Sequence, residues 1–281
     1  MTGLVLEGGT FRGIFSAGVM DAFLKADIEF PYIIVVSAGI SNAYSYISGQ
    51  YERNIVVLEE YRNDNRYLGF NNFIKNRSYF GLDFIFSEIP NNLNPFDGEK
   101  FMQYKGKAIV GVTNAQTGKT EYLNALEHDE NFVYLRATCA IPGVFPAVNI
   151  NGQDYFDGGL RSPICIKKAI QDGCKKTVIL LTRPKGFVKE LRYNNIILSQ
   201  LIKFKYPAME MALLTRHKLY NAQIRYCEKL ERQGRAIILR PEQNLSSLEK
   251  NPATLRATWQ EGYNSAMERI DEIRGFMAIG S

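Results

Sequence analysis

Ser37 stands in Val35-Val36-Ser37-Ala38-Gly39, where a β-branched run stops and small residues begin. A hydroxyl on the turn between a buried strand and a helix projects above the sheet edge. The first amides of that helix face it with the positive end of their dipole. Such a serine can attack a carbonyl, and small neighbours let the flanking backbones approach. The same position also suits a serine that caps the following helix. A second stretch, Glu7-Gly8-Gly9-Thr10-Phe11-Arg12-Gly13, can turn several amides toward one point. That makes an anion cradle, for a bound phosphate or for the oxyanion of an acyl-transfer intermediate. A dinucleotide fingerprint fits it poorly. Thr10 falls where a third glycine belongs, and Asp27, about 20 residues on, lies in a turn. Third, Asp157-Gly158-Gly159 follows Tyr155-Phe156, so a carboxylate ends a strand with two unobstructive glycines behind it. Each piece alone is a common turn. Together they are the nucleophile, the donor loop and the base of a Ser–Asp dyad hydrolase.

These residues need strands and helices to hold them. Leu4–Leu6 reads as a strand, followed by a helix over Ile14 to Lys25 in which Phe15, Val19, Ala22 and Phe23 recur at helical spacing. Tyr32 to Val36 is continuously apolar, as befits a parallel strand covered on both faces. Residues 61–100 are rich in Asn, Phe and Tyr without a clean period, and are expected to cap a cleft or pack as short helices on the body. Hairpins are expected at Thr117-Gly118-Lys119 and Asn151-Gly152. A helix is expected over Pro163 to Gln171, then a strand over Thr177 to Thr182. Helix predominates to Arg232, one more strand covers Ala236–Leu239, and a last helix begins near Pro252. The expected organisation is a core over 1–185 and a mainly helical segment over 186–281 packed on it.

The composition of the 281 residues bounds the function. With 46% hydrophobic residues and 12% aromatics the chain has material for a core, which excludes disorder as a description of the whole. No apolar run approaches the roughly 20 residues that cross a bilayer. The opening MTGLVLEGG has no room for a basic region and signal core, so a cytoplasmic location is expected. Four cysteines without a CxxC pair and two histidines give no zinc spacing and no disulfide framework. No metal and no cofactor is expected. Net charge is +5, and from Lys189 to Arg240 eleven Lys/Arg stand against four Asp/Glu. That basic segment is a solvated helix surface or a face for anionic head groups, so peripheral contact with an anionic membrane is an expectation. Nothing in it suggests a nucleic-acid module.

EGGTFRG, VSAG and DGG, in this order and at these distances, resemble the patatin-like phospholipase family. Ala140-Ile141-Pro142-Gly143-Val144-Phe145 ahead of the aspartate and Gly159-Leu160-Arg161-Ser162-Pro163-Ile164 behind it extend the resemblance over roughly residues 2–185. It implies an α/β fold, a three-layer α/β/α sandwich, and hydrolysis of a lipid or small acyl ester. Ser37 would be the nucleophile and Asp157 its base, with the amides of Gly8, Gly9 and Thr10 as the oxyanion hole. Arg12 would hold that loop through charge-assisted hydrogen bonds, with Gly13, Gly39, Gly158 and Gly159 in support. Two positions depart from the family pattern. Val35 replaces the glycine that opens the elbow and is expected to displace it; Thr10 replaces the third loop glycine. A non-catalytic relative that binds lipid or phosphate is the alternative these departures raise. A histidine base would have to be His128, in a polar run, or His217, in the basic helical region.

Overall fold

The computed structural model describes residues 1–76, 78–127 and 132–278, the side chains of 75 and 76 apart. Its centre is one mixed sheet of β1 (Thr2–Leu6), β2 (Tyr32–Val36), β3 (Lys107–Asn114), β4 (Thr120–Asn124), β5 (Val148–Ile150), β6 (Gln153–Asp157), β7 (Lys176–Leu180) and β8 (Ala236–Leu239). The parallel part runs β3-β2-β1-β7-β8. The two expected hairpins close β3 to β4 and β5 to β6. In the second, Asn151 and Gly152 both take positive φ (50° and 81°), as a tight hairpin turn requires.

Helices cover both faces, giving three layers. They are α1 (Ile14–Lys25), α2 (Gly39–Ile47), α3 (Arg53–Tyr61), α4 (Phe70–Asn76), α5 (Gly98–Met102), α6 (Val133–Cys139), α7 (Ile166–Gln171), α8 (Tyr193–Ile202), α9 (Pro207–Arg232), α10 (Pro252–Met267) and α11 (Ile270–Ala278). Strand alternation decides what each face touches. Leu4, Leu6, Ile33, Val35, Val178 and Leu180 pack against Phe15, Val19 and Phe23 of α1 and Ile40 and Ala43 of α2. Val5, Ile34, Val36 and Ile179 pack on the other side against Ile166 and Ala169 of α7 and Tyr220, Cys227 and Leu230 of α9. Every residue of β1 and β2 is buried, which explains why these strands read as unbroken apolar runs.

The C-terminal residues join the same core. β8 pairs with β7, and α10 lies along α1, where Trp259 Nε1 donates to the Asp21 carboxylate at 2.7 Å. α10 starts where expected, with Pro252 in its first turn and Asn251 Oδ1 capping the Ala253 amide at 2.9 Å. The helix expected from Pro163 begins later, at Ile166, and the Ile164 amide ahead of it donates to Gln223 Oε1 at 2.8 Å. β7 likewise stops before Thr182, whose amide turns away to Glu7 Oε2 at 2.8 Å. The aperiodic stretch after α3 includes α4, α5 and a π-helix, Phe84–Leu93, with Pro90 inside it. No helix among the described residues is long and apolar enough to cross a membrane.

Candidate active site

The register of β3 brings the candidate nucleophile and base together. One edge of β3 is occupied by β4 over Ile109–Thr113, so β2 and β6 must share the other. β2 runs parallel to β3 and its last residue, Val36, stands opposite Gly111; β6 runs antiparallel and its last residue, Asp157, stands opposite Val112. Two strand ends therefore meet head to head on a single edge. Ser37, one residue past β2, donates its hydroxyl hydrogen to Asp157 Oδ2 at 2.7 Å.

Each partner is held from its own side. Ser37 has a φ of +55°, unfavourable for a residue with a Cβ, as expected of a nucleophile on a tight strand-to-helix turn. Its amide donates to Thr138 Oγ1 at 2.8 Å, and the Thr138 hydroxyl donates on to Gly111 O at 2.7 Å, which pins the turn to β3. The α2 amides begin directly behind it, with Ile40 N donating to Ser37 O at 3.1 Å. Asp157 Oδ1 accepts from Gly159 N at 2.6 Å, and Arg216 Nε of α9 donates to Gly159 O at 2.9 Å. Gly158 can only be glycine: a Cβ there would lie 2.2 Å from Gly111 O.

Ser37 is 8% and Asp157 1% exposed, so proton exchange between them is shielded from bulk water. Burial pushes the Asp157 carboxyl above the ordinary carboxylate range, opposed by Arg216 and by the Ser37 and Gly159 hydrogen bonds. The direct bond leaves no imidazole between hydroxyl and carboxylate. His217 lies on α9 and bonds to neither group, and His128 lies outside the described residues.

The glycine loop closes over the same point. A Cβ on Gly8 would come 2.5 Å from Ser37 Cβ, so the loop backbone lies against the nucleophile. Among the described residues neither Gly8 nor Gly9 gives its N–H to a protein acceptor, which leaves these amides for a ligand. Thr10 sits at φ +51°, a conformation costly for a β-branched residue and natural for the glycine it replaces. Gly39 borders Glu7 O and Leu6 Cβ, each at 3.3 Å from a notional Cβ, and Gly13 O accepts from Asn42 Nδ2 at 2.7 Å. Arg12 differs from expectation. Its backbone amide closes the turn on Gly9 O at 3.1 Å, while its guanidinium Nε is buried without a partner. Val35 does not displace the elbow either: it is an interior strand residue, paired with Val110 and packed on the α1–α2 face, and the Ser37–Asp157 bond is intact.

Beside Ser37 opens a cavity of about 170 Å³. Thr10, Ala38 and Asn42 border it near the nucleophile, and Phe80, Phe86 and Phe145 form apolar wall. The stretch expected to cap a cleft supplies Phe80, Ile85, Phe86, Ile89, Pro90 and Phe96 to that wall, with Phe80 stacked on Phe145 at 5.2 Å between ring centres. Cys139 also faces the cavity, and burial pushes its thiol well above the usual range, so it is no competing nucleophile.

The fold agrees with a family match. Residues 4–170 match the model of the patatin-like phospholipase family, and the chain belongs to that family. Residues 206–278 match a domain of unknown function, DUF6363. An uncharacterized protein of Escherichia coli K12, YjjU, is 28% identical over 197 residues, covering 64% of this chain and 52% of that protein. The lysophospholipase nte1 of Emericella nidulans is 27% identical over 168 residues, covering 56% of this chain and 10% of that protein. The chain thus spans about half of the first relative and a small part of the second. The crystal structure of VipD from Legionella pneumophila aligns with a TM-score of 0.44 at 14% identity, over 96% of this chain and 67% of that one.

Three participants escaped the sequence reading. Thr138 lies one residue before Cys139-Ala140, just ahead of the stretch that carries the resemblance, and only the fold shows that its hydroxyl anchors Ser37. Arg216 is one cation among eleven in the basic segment. Glu7 is visible in EGG, but its bond to Thr182 spans 175 residues.

Proposed function

We propose that the chain is a serine acyl hydrolase acting on carboxylic esters of lipids, with Ser37 as nucleophile and Asp157 as its base. The observation that carries this reading is the 2.7 Å bond between a buried hydroxyl and a buried carboxylate at the edge of an apolar cavity. Ser37 Oγ attacks the ester carbonyl and its proton passes to Asp157. The carbonyl π pair moves to oxygen, and that oxyanion is received by the amides of Gly8, Gly9 and Thr10, a donor of this kind contributing roughly 3–4 kcal/mol. As the tetrahedral intermediate collapses, Asp157 returns the proton to the leaving alkoxide and an acyl-enzyme remains. Water, deprotonated by Asp157, attacks the acyl carbon; the fatty acid leaves and Ser37 recovers its proton. A carboxylate is a weak base for a serine, and burial strengthens this one.

The pH dependence follows with a definite sign. Hydrolysis needs Asp157 ionised, so kcat/KM falls as pH drops through its pKa, which burial sets above that of an ordinary aspartate. Arg216 favours the ionised form. Arg216→Gln is therefore expected to move the acid limb of the profile to higher pH, and Arg216→Lys to restore much of it. An unmoved limb in the Gln variant removes Arg216 from the electrostatics of the base.

The acyl group is assigned to the cavity, whose volume is close to the ~150 Å³ of an apolar cavity that holds benzene. With burial worth about 0.8 kcal/mol per methylene, kcat/KM on p-nitrophenyl esters should rise about fourfold per carbon from acetate to hexanoate. A flat series, with each ester hydrolysed equally, contradicts the assignment.

A further inference from the structure

The acyl cavity is not apolar throughout. α2 runs along it from Ser37 and supplies Ser41, Asn42 and Tyr44 to its lining. Ser45, on the same helical face as Ser41, donates to Asn54 Oδ1 at 3.3 Å. Arg53 and Asn54, at the start of α3, therefore border the cavity about 12 Å along α2 from the nucleophile, at roughly 1.5 Å per residue. Phe96 and Phe132 also line the cavity and meet edge-on, 5.7 Å between ring centres.

Among the described residues Arg53 forms no ion pair. Its Nη2 donates to Asn94 O at 2.8 Å and its guanidinium carbon stands 5.8 Å from the Phe96 ring centre, while its Nε is buried with no acceptor. Burial lowers the guanidinium to about 10 and is the one cause of that shift. Arg62 shows the contrast: its Nε and Nη2 donate to Glu249 O and Leu248 O at 2.7 and 3.0 Å. Arg53 also opens α3, where the helix dipole disfavours a cation, and Glu52 at φ +58° gives that end no side-chain cap. A guanidinium with a buried, unused donor beside an apolar cavity is costly until an anion enters. Its fork suits the two oxygens of a carboxylate.

We propose that Arg53 forms a carboxylate subsite at the end of the acyl cavity remote from Ser37, and that the preferred acyl chain ends in a second, distal carboxylate. The substrate class so defined is esters of medium-chain dicarboxylic acids, with one carboxyl esterified at Ser37 and the other ionised on Arg53. Phe80, Phe86 and Ile89 supply apolar wall for the methylenes. That assignment rests on the hydrolase reading, whereas carboxylate binding at Arg53 does not. A free fatty acid carries the same group and would lie in the cavity the other way round.

The test uses the whole chain, wild type, Arg53→Met and Arg53→Lys. Two substrates are compared within each protein, the p-nitrophenyl half-ester of octanedioate and its neutral methyl-capped counterpart, so that a general loss of fold or activity cancels in their ratio. Octanoate is added in thermal denaturation. In the wild type kcat/KM should favour the ionised half-ester at least about tenfold, through KM, the scale of a hydrogen-bonded charge pair. Arg53→Met should abolish or invert that preference and Arg53→Lys keep part of it. If the wild type shows no preference, while octanoate raises its Tm and not that of Arg53→Met, the subsite stands, the dicarboxylic substrate falls and a free fatty acid is the ligand. A preference that survives in Arg53→Met overturns the proposal, as does no preference together with no Arg53-dependent octanoate effect. An Arg53-dependent rise in Tm without hydrolysis of either ester retains the subsite and refutes the hydrolase reading.

Discussion

Ser37→Ala is expected to abolish ester hydrolysis, and Asp157→Asn to reduce kcat on the order of 10⁴-fold, with the two changes far from additive in the double variant. Each group has the other as its chemical partner at 2.7 Å, so removing either leaves only binding and the oxyanion donors. The stability readout separates this from misfolding. Burial raises the Asp157 pKa, so its contribution becomes unfavourable as pH rises from the unfolded pKa through the folded one, and at neutral pH the ionised carboxylate costs stability. Asn keeps the acceptor for Gly159 N and loses the buried charge. Asp157→Asn is therefore expected to melt no lower than the wild type at pH 7, an advantage that fades as pH falls and is gone below the ordinary aspartate pKa. A variant that retains wild-type turnover rules out the dyad; one that loses activity only as its Tm collapses assigns Asp157 a structural role.

Gly8→Ala is expected to cost 10²–10³-fold in kcat with a smaller effect on KM, the scale of losing one oxyanion donor. The added methyl would sit 2.5 Å from Ser37 Cβ and 2.8 Å from Val36 O, distances that force the loop and the elbow apart. The loop has the freer backbone and yields, carrying its amides off the carbonyl position. Gly275→Ala, where the added Cβ meets nothing within 4 Å and φ, as at Gly8, is not positive, controls for adding a methyl to a glycine away from the site. Equal kcat in Gly8→Ala and wild type would take the loop out of the catalytic account.

The sequence marks local devices well and long-range ones poorly. Ser37 is readable because its turn, its strand and its helix lie within about ten residues, and Asp157 because a strand-ending acid before two glycines is itself local. Their meeting is not local. It depends on β2 and β6 sharing one edge of β3, a register fixed by pairings across 120 residues. The expectation that Val35 would displace the elbow fails for a related reason. The close approach falls at Gly8 and Gly39, in the turns, whereas Val35 is one pair further back in a strand covered on both faces. The guanidinium of Arg12 was expected to hold the loop; the backbone does so, through the Arg12 amide on Gly9 O, and the side-chain Nε is buried without a partner.

Covalent labelling of the intact protein by a fluorophosphonate tests the central claim most directly. The expected result is one phosphonyl adduct per chain, mapped by mass spectrometry to Ser37, absent in Ser37→Ala and formed much more slowly in Asp157→Asn. A folded protein that takes up no label, or takes it up on another residue, contradicts it.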